Sequence, residues 1–276
     1  LFDICFEVID GPSAPDVNFV ELDKEIIINQ TDPRIHLVNN KFTPGANGAR
    51  NTGINLSSGK FISFLDDDDT WEKNKLELQM KYFDNDQTGV VFSNSYILKK
   101  KKKIYTKQKL PSGEIFNQLI DNYTVGIVTA VIRKFFYLKL IEKFDERFSI
   151  IGDYDLFLRL SKICLFESIQ EPLASYRLHG KNLSSLNKEK EIEEFHLWME
   201  ENKLNLSKFQ AKKLQKKINY RKFVIYKING KYGECVNMLL NLKKSLLNIK
   251  NIVLFFTPVF LLKKLLWYHQ DYNDFK

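Results

Sequence analysis

Four consecutive carboxylates follow an apolar run, and no other feature constrains this chain as strongly. Residues 61–65 read Phe-Ile-Ser-Phe-Leu, which is typical of a buried strand, and Asp66–Asp69 come directly after them. Like charges at a strand end repel one another, so a neutralising cation would explain why they stand together. Mg²⁺ and Mn²⁺ take carboxylate oxygens and commonly bridge them to substrate phosphates. The alternative is an acidic cap for a helix that begins near Glu72, because Asp is a good N-cap residue.

Composition narrows the class of protein. The chain has 276 residues, 44% of them hydrophobic, so it can bury the core of one large domain or of a domain with an appendage. The formal net charge of +8 favours anionic partners, but the lysines are spread through predicted helices, and we expect no nucleic-acid partner. The three cysteines are far apart and predict neither a disulfide framework nor a zinc site, which fits a reducing compartment. No apolar run reaches the roughly 20 residues of a membrane span.

Strand-like and helix-like segments alternate in the first half, which predicts an α/β fold with a mainly parallel sheet. Ligands of such sheets bind at the carboxyl ends of strands, where both Asp10 and the acidic run fall. The patterns predict two helices, a hairpin and a further strand, in this order: Ala49–Leu56, residues 72–83, Val90–Leu98 with Lys102–Thr106, and Val125–Ile132.

The second half changes character after about Ser185. Strand signals vanish, and helices with lysine-rich faces are predicted over Glu189–Glu201, Ser207–Ile228 and Tyr232–Leu247. We therefore expect one domain over residues 1–185 and a helical region over residues 186–276.

The tail carries an apolar run at residues 252–262, which Pro258 interrupts. Lysines flank the run on both sides, and Trp267 and Tyr268 follow it. Apolar surface with basic and aromatic flanks is typical of a segment that lies on an anionic membrane surface. The alternative is an ordinary hydrophobic helix that packs back on the protein.

Three blocks of this sequence resemble, in the same order, the family 2 glycosyltransferases of the GT-A fold. The first contains Gly-Ala-Asn-Gly-Ala-Arg-Asn-Thr-Gly-Ile, the acidic run and Lys-Leu-Glu; the second contains Phe-Asp-Glu-Arg-Phe and Gly-Asp-Tyr-Asp; the third contains Tyr-Arg-Leu-His-Gly-Lys-Asn. They lie at residues 45–77, 144–159 and 171–184. One block would be a weak signal, whereas three in order, within a similarity over about residues 6–185, are a specific one.

The resemblance implies an inverting, metal-dependent enzyme that moves a sugar from a nucleotide-sugar donor, such as a UDP-sugar. In the family a D-x-D pair holds Mn²⁺ or Mg²⁺, and the matching positions here are Asp66 and Asp68. We expect Asp68 to contact the cation and Asp66 to bind the cation or the ribose. Asp153 matches the general base that accepts the proton of the acceptor hydroxyl. The alternative is that Asp153 only caps the helix Tyr154–Ile163.

The resemblance also implies donor-binding positions. Asp10 matches a turn that contacts the nucleoside base, although a simple strand-exit turn explains the same residues. Arg50, Asn51 and Arg177 are expected on the donor side, where the arginines face either the pyrophosphate or the acidic run. His179 matches a late histidine that completes the metal or pyrophosphate site, and the alternative is a structural role.

Together these inferences predict a bacterial enzyme of surface polysaccharide biosynthesis with a glycan or lipid-linked acceptor. We expect it in the cytoplasm, peripheral on the inner face of the cell membrane. Family members usually carry a strand and a helix before the Asp10 turn, so the 1–185 domain is expected to be N-terminally incomplete. That gap favours the alternative of a catalytically silent module that binds membrane or a partner. The joint presence of Asp66, Asp68 and Asp153 argues against it.

Overall fold

The structure is a computed structural model that describes residues 8–9, 38–99, 102–105, 107–179, 182, 186–241, 253 and 255–261. These residues form two compact units. The first contains the described part of residues 1–116 and 125–178, and the second contains that of residues 117–124 and 179–276.

The strands all belong to the first unit. In chain order they are β1 (Val8–Ile9), β2 (Val38–Asn39), β3 (Phe61–Ser63), β4 (Thr70–Trp71), β5 (Thr88–Lys99), β6 (Lys102–Ile104), β7 (Val131–Arg133) and β8 (Leu165–Leu178). Strands β1 and β2 form a parallel pair, and the other six form one sheet.

The larger sheet is mixed. Its order is β3-β7-β5-β8-β4, and β6 pairs with β5 as the expected hairpin. Strand β5 runs parallel to β8, while β7 runs antiparallel to both β3 and β5, so β3, β5 and β8 point in one direction. The α/β class is therefore confirmed. The expected mainly parallel sheet is instead mixed, because β4, β6 and β7 run against the shared direction.

The strand expected over Val125–Ile132 is shorter in the structure than the apolar run that predicts it. Residues Ile127–Thr129 form a 3₁₀ turn, and β7 begins only at Val131. Both the turn and the strand are largely buried, so the apolar pattern alone does not separate them.

Five α-helices of the described chain precede β8. They are α1 (Ala46–Leu56), α2 (Lys75–Met80), α3 (Phe116–Asp121), α4 (Lys134–Lys139) and α5 (Gly152–Leu160). Helix α2 is shorter than the helix expected over residues 72–83. Because Thr70 and Trp71 pair with β8, the chain can turn into a helix only after them.

The core of the first unit lies between the sheet and α5. Residues Val90–Phe92 of β5 are fully buried, as are Phe157 on α5 and Phe166 on β8. Phe166 packs edge-on against both Phe92 and Phe157, with ring centres 6.3 Å apart in each pair. Edge-to-face pairs of buried aromatic rings stabilise a core beyond their burial alone.

The second unit is helical, with α6 (Lys188–Asn202), α7 (Lys208–Ile228) and α8 (Tyr232–Asn241). Helix α7 begins with a capping box, in which Ser207 and Gln210 satisfy each other's backbone N–H groups. Arg221 on α7 pairs with Glu191 on α6 at 2.6 Å. In the part of the chain that the structure describes, no helix is long and apolar enough to cross a membrane.

Close packing at Gly89 gives a test of the core. A Cβ atom there would lie 2.2 Å from the Cys164 Sγ and 2.8 Å from the Phe136 ring. We expect Gly89→Ala to lower the free energy of unfolding by about 1–3 kcal/mol, since an overpacked core must shift. Gly126→Ala is the matched control in urea unfolding, because its Cβ would meet nothing nearer than 3.5 Å. Equal stability of the Gly89 variant and the wild type would contradict this packing.

Candidate active site

The acidic run forms a tight turn between two strands. β3 ends at Ser63, the Asp69 N–H donates to the Asp66 carbonyl at 3.0 Å, and β4 begins at Thr70. Helix α2 starts later and has Asn74 as its N-cap. The helix-cap alternative for the acidic run is therefore wrong, and residues 66–69, here called the acidic turn, are a connection at the end of β3.

Arg50 ties this turn to α1. Its Nη2 lies 3.1 Å from Asp66 Oδ1, and Asp66 keeps 42% of its side chain exposed. The guanidinium carbon also stands 6.0 Å and 5.7 Å from the ring centres of Phe64 and Phe144. The salt-bridge alternative for Arg50 is thus present in the structure, and it leaves the Asp66 carboxylate partly open to solvent.

Asp69 ties the turn to β8. Its Oδ1 accepts the Arg177 N–H at 2.8 Å, and the Arg177 Nε donates to the Asp68 carbonyl at 2.7 Å. Asp69 is buried, and its Oδ2 has no hydrogen-bond partner among the described residues. Burial, helped by the charges of Asp68 and Asp66, raises the pKa of Asp69 to about 7 against the lowering effect of the Arg177 N–H.

A polar layer joins both flanks of the acidic turn. The carbonyl groups of residues 128–130 accept hydrogen bonds from Trp71, Gln79 and Ser63 at 2.9, 2.8 and 2.5 Å. Lys75 lies among these side chains and is fully buried. The sequence marked Lys75 only as part of the first resemblance block, and no pattern signalled that it is buried.

Asn51 is buried, and its amide uses all four of its hydrogen-bonding positions. Its Nδ2 donates to the Phe144 carbonyl and to Glu146 Oε1, both at 3.0 Å. Its Oδ1 accepts from the Tyr137 hydroxyl at 2.9 Å and from the Phe144 N–H at 3.1 Å. Because no polar atom is left for a ligand, the structure gives Asn51 a structural role in place of the expected donor contact.

Asp153 lies in the first turn of α5. The N-cap of this helix is Ile151, so Asp153 does not cap it, but its Oδ1 accepts the Tyr154 N–H at 2.8 Å. A Cβ atom at Gly152 would lie 2.0 Å from the Asn47 side chain of α1. The start of α5 therefore packs closely against α1, and a glycine before Asp153 permits this approach.

Two further residues are expected at the site from the sequence. Asp10 lies outside the described residues. His179 is exposed and belongs to the second unit, where its backbone N–H donates to Asn182 Oδ1 at 2.9 Å.

The acidic turn fits a cation that is shared with a ligand. Across the described residues, no group of three or more His, Cys, Asp or Glu side chains could hold a metal ion. Mg²⁺, however, is usually held by one or two carboxylates together with substrate phosphates and water. Asp66 and Asp68 can provide these carboxylates. The buried Asp69 Oδ2 has no hydrogen-bond partner among the described residues.

Comparison with known proteins gives the family. Residues 8–151, more than half of the chain, match the family described as Glycosyl transferase family 2. The chain belongs to this family. The resemblance inferred from the three sequence blocks is therefore confirmed.

Two relatives of this family 2 chain have informative names. It is 33% identical over 168 residues to the UDP-Glc:alpha-D-GlcNAc-diphosphoundecaprenol beta-1,3-glucosyltransferase WfgD of Escherichia coli. The aligned residues cover 60% of this chain and 64% of WfgD. The chain is 27% identical over 208 residues to the amylovoran biosynthesis glycosyltransferase AmsB of Erwinia amylovora, which covers 72% of this chain and 67% of AmsB. The chain thus spans less than two thirds of the length of WfgD.

Solved structures show the same fold. The chain is similar to residues 1–349 of S. aureus TarS in complex with UDP-GlcNAc, with a TM-score of 0.54, 16% identity and coverage of 84% of this chain and 65% of that chain. For the TarS complex with UDP, the TM-score is 0.51, the identity is 13%, and the coverage is 84% of this chain and 64% of that chain. This likeness supports the predicted GT-A α/β fold followed by helices.

The structural role of Asn51 is testable. We expect Asn51→Ala to lower the free energy of unfolding by about 2–3 kcal/mol, because buried partners in residues 137–146 lose their hydrogen bonds. Urea unfolding measures this, and Asn74→Ala is the control, since Asn74 is exposed and makes no side-chain capping bond. A variant of wild-type stability that no longer binds UDP in calorimetry would instead indicate donor contact by Asn51.

Proposed function

We propose that this chain transfers a sugar, with inversion, from a UDP-sugar to a glycan or lipid-linked acceptor in surface polysaccharide biosynthesis. Family membership supports glycosyl transfer. The names of WfgD and AmsB support a UDP-sugar donor, a diphosphoundecaprenol-linked acceptor and a polysaccharide product. The UDP-GlcNAc complex of TarS supports a uridine nucleotide.

The observation that carries this proposal is the acidic turn, which is held by contacts within itself, with α1 and with β8. Its own hydrogen bond closes it, Arg50 holds Asp66 from α1, and Asp69 fastens it to β8. Carboxylates held in place in this way lose little freedom when a cation and a diphosphate arrive.

Asp68 and Asp66 would hold Mn²⁺ or Mg²⁺ in this proposal. A divalent cation bound there supplies positive charge to the diphosphate that leaves when the glycosidic bond breaks. Arg50 and Arg177 are kept as pyrophosphate-side residues, since each is already tied to the acidic turn. His179 as a further cation ligand and Asp10 as a nucleoside contact remain predictions.

Asp153 would act as the general base. It accepts the proton of the acceptor hydroxyl while that oxygen forms a bond to the anomeric carbon of the donor.

Replacement of Asp68 tests the cation site. We expect Asp68→Asn to reduce transfer and UDP-sugar hydrolysis by about 100-fold or more, because a bound cation contributes several kcal/mol to stabilising the leaving diphosphate. A UDP-release assay with Mn²⁺ measures both reactions, and a chelator should have the same effect on the wild type. Asp84→Asn, an exposed carboxylate outside the acidic turn, is the control.

Two results of this assay would contradict the proposal. Full activity of the Asp68 variant would remove the cation assignment. A wild type that releases no UDP from any donor with Mn²⁺ would favour the alternative, a catalytically silent module that binds membrane or a partner.

We further propose that the tail lies on an anionic membrane surface, on the inner face of the cell membrane. The tail packs on α7 through Phe255, whose ring centre is 6.4 Å from that of Phe223, and Lys227 donates to the carbonyls of Phe255 and Thr257. Its other face exposes 78% of Phe256 and 70% of Phe260. The tail therefore combines a fixed inner face with an apolar outer face.

The positive charge of the surrounding sequence indicates an anionic partner for this outer face. Between residues 235 and 270 the sequence contains five lysines and no Asp or Glu. Exposed aromatic side chains within such a basic stretch are suited to anionic lipid headgroups.

Vesicle flotation tests the membrane proposal. We expect the full chain to float with vesicles containing phosphatidylglycerol and to stay in solution with pure phosphatidylcholine. The double variant Phe256→Glu with Phe260→Glu should lose flotation, because acidic groups at the apolar face are repelled by the anionic surface. The control Phe209→Glu changes an equally exposed phenylalanine on α7. A wild type that never floats, or a double variant that floats unchanged, would exclude this surface.

A further inference from the structure

The buried amine of Lys75 has no role in the function proposed so far. The side chain is 0% exposed, and its Nζ lies 3.3 Å from Ser63 Oγ and 4.3 Å from the centre of the Trp71 ring. Within the described part of the chain, no acidic side chain pairs with it. Burial lowers the pKa of Lys75 to about 7. An unpaired buried amine is unfavourable for folding, so its presence calls for another explanation.

The two partners of Lys75 stand on either side of the acidic turn. Ser63 is the last residue of β3, before the turn, and Trp71 is the last residue of β4, after it. Contact with Lys75 therefore links the chain that enters the acidic turn to the chain that leaves it.

Both partners are themselves immobilised. Within the polar layer, Ser63 donates to the carbonyl of residue 130 at 2.5 Å and Trp71 donates to that of residue 128 at 2.9 Å. Gln79, one helical turn after Lys75 on α2, donates to the carbonyl of residue 129 at 2.8 Å. Lys75 thus stands on a helix anchored to the same carbonyl row as its two partners.

We propose that Lys75 is a positioning residue that holds the acidic turn in the shape that binds a divalent cation and UDP. It acts through Ser63 and Trp71 and does not itself touch the ligand. Without this link, the two flanks of the turn keep only their separate bonds to the carbonyls of residues 130 and 128, and repulsion among the carboxylates favours a wider turn. The inference rests on the proposed function of the acidic turn and adds a residue that supports it.

A Lys75→Met variant separates positioning from simple packing. Methionine preserves most of the side-chain length but removes the amine, so the protein loses an unfavourable buried group and its thermal midpoint should stay equal or rise. Binding of UDP in the presence of Mn²⁺, measured by calorimetry on the full chain, should weaken by about tenfold or more, as is typical when support of a metal ligand is removed. Lys73→Met, at an exposed lysine near the start of α2, should behave as the wild type.

A second variant covers the case in which Lys75→Met does not fold. Ser63→Ala removes the hydrogen-bond acceptor of the amine with little change in volume, and we expect it to weaken the same binding several-fold. Spin resonance of Mn²⁺ added without nucleotide gives an independent reading of the cation site in each variant.

The outcomes are distinct. If the wild type binds UDP and Mn²⁺ and Lys75→Met binds them equally well, the inference is overturned while the proposed function stands. If Lys75→Met loses stability and binding in parallel and Ser63→Ala binds as the wild type does, Lys75 is only a packing residue, and the inference is again overturned. If the wild type binds neither ligand, the proposed function fails and the inference falls with it.

Discussion

Repulsion among four adjacent carboxylates is the constraint around which the first unit is organised. The chain holds these charges together with restraints from different directions. Arg50 neutralises Asp66 at 3.1 Å, and the Arg177 N–H binds the buried Asp69 carboxylate at 2.8 Å. One oxygen of the Asp69 carboxyl has no hydrogen-bond partner among the described residues. We propose that carboxylates of this turn bind a divalent cation together with a diphosphate.

One face of α1 connects the two halves of the proposed chemistry. Arg50 and Asn51 lie three and four positions after Asn47, so both neighbour it on one side of the helix. Arg50 binds the acidic turn, Asn47 packs against the start of α5 beside Asp153, and Asn51 binds Phe144 and Glu146. A single helix therefore contacts both Asp66, a proposed cation ligand, and the segment that carries Asp153, the expected base. We regard this shared support as the structural reason why these three residues stand together in the sequence.

The sequence predicted features whose cause is local. The acidic run after a strand, the β5–β6 hairpin and the helix that carries Asp153 all follow from neighbouring residues, and each is present. The strand before the acidic run is shorter than the expected residues 61–65, since it ends at Ser63, and it is only partly buried. Strand β4 was missed because its two residues carry no periodic pattern and are defined by pairing with β8, about 100 positions later. The late start of α2 follows from the same pairing.

The remaining differences concern partners that only the fold reveals. Asn51 reads as a ligand-binding residue in its sequence block, but its four hydrogen bonds go to residues about 90 positions away. The sequence places Lys75 only within the first resemblance block, and its burial depends on packing against β3, β4 and the 128–130 carbonyls. Composition and periodicity do not contain this information, because the bonding of Asn51 and the burial of Lys75 both depend on tertiary contacts.

Anomalous diffraction from a crystal soaked with Mn²⁺ and UDP tests the central claim most directly. The account predicts a manganese peak about 2.1 Å from a carboxylate oxygen of Asp68, with the UDP phosphates as further ligands and Asp66 beside them. A manganese peak elsewhere, with the carboxylates of Asp66 and Asp68 turned to bulk water, would contradict it.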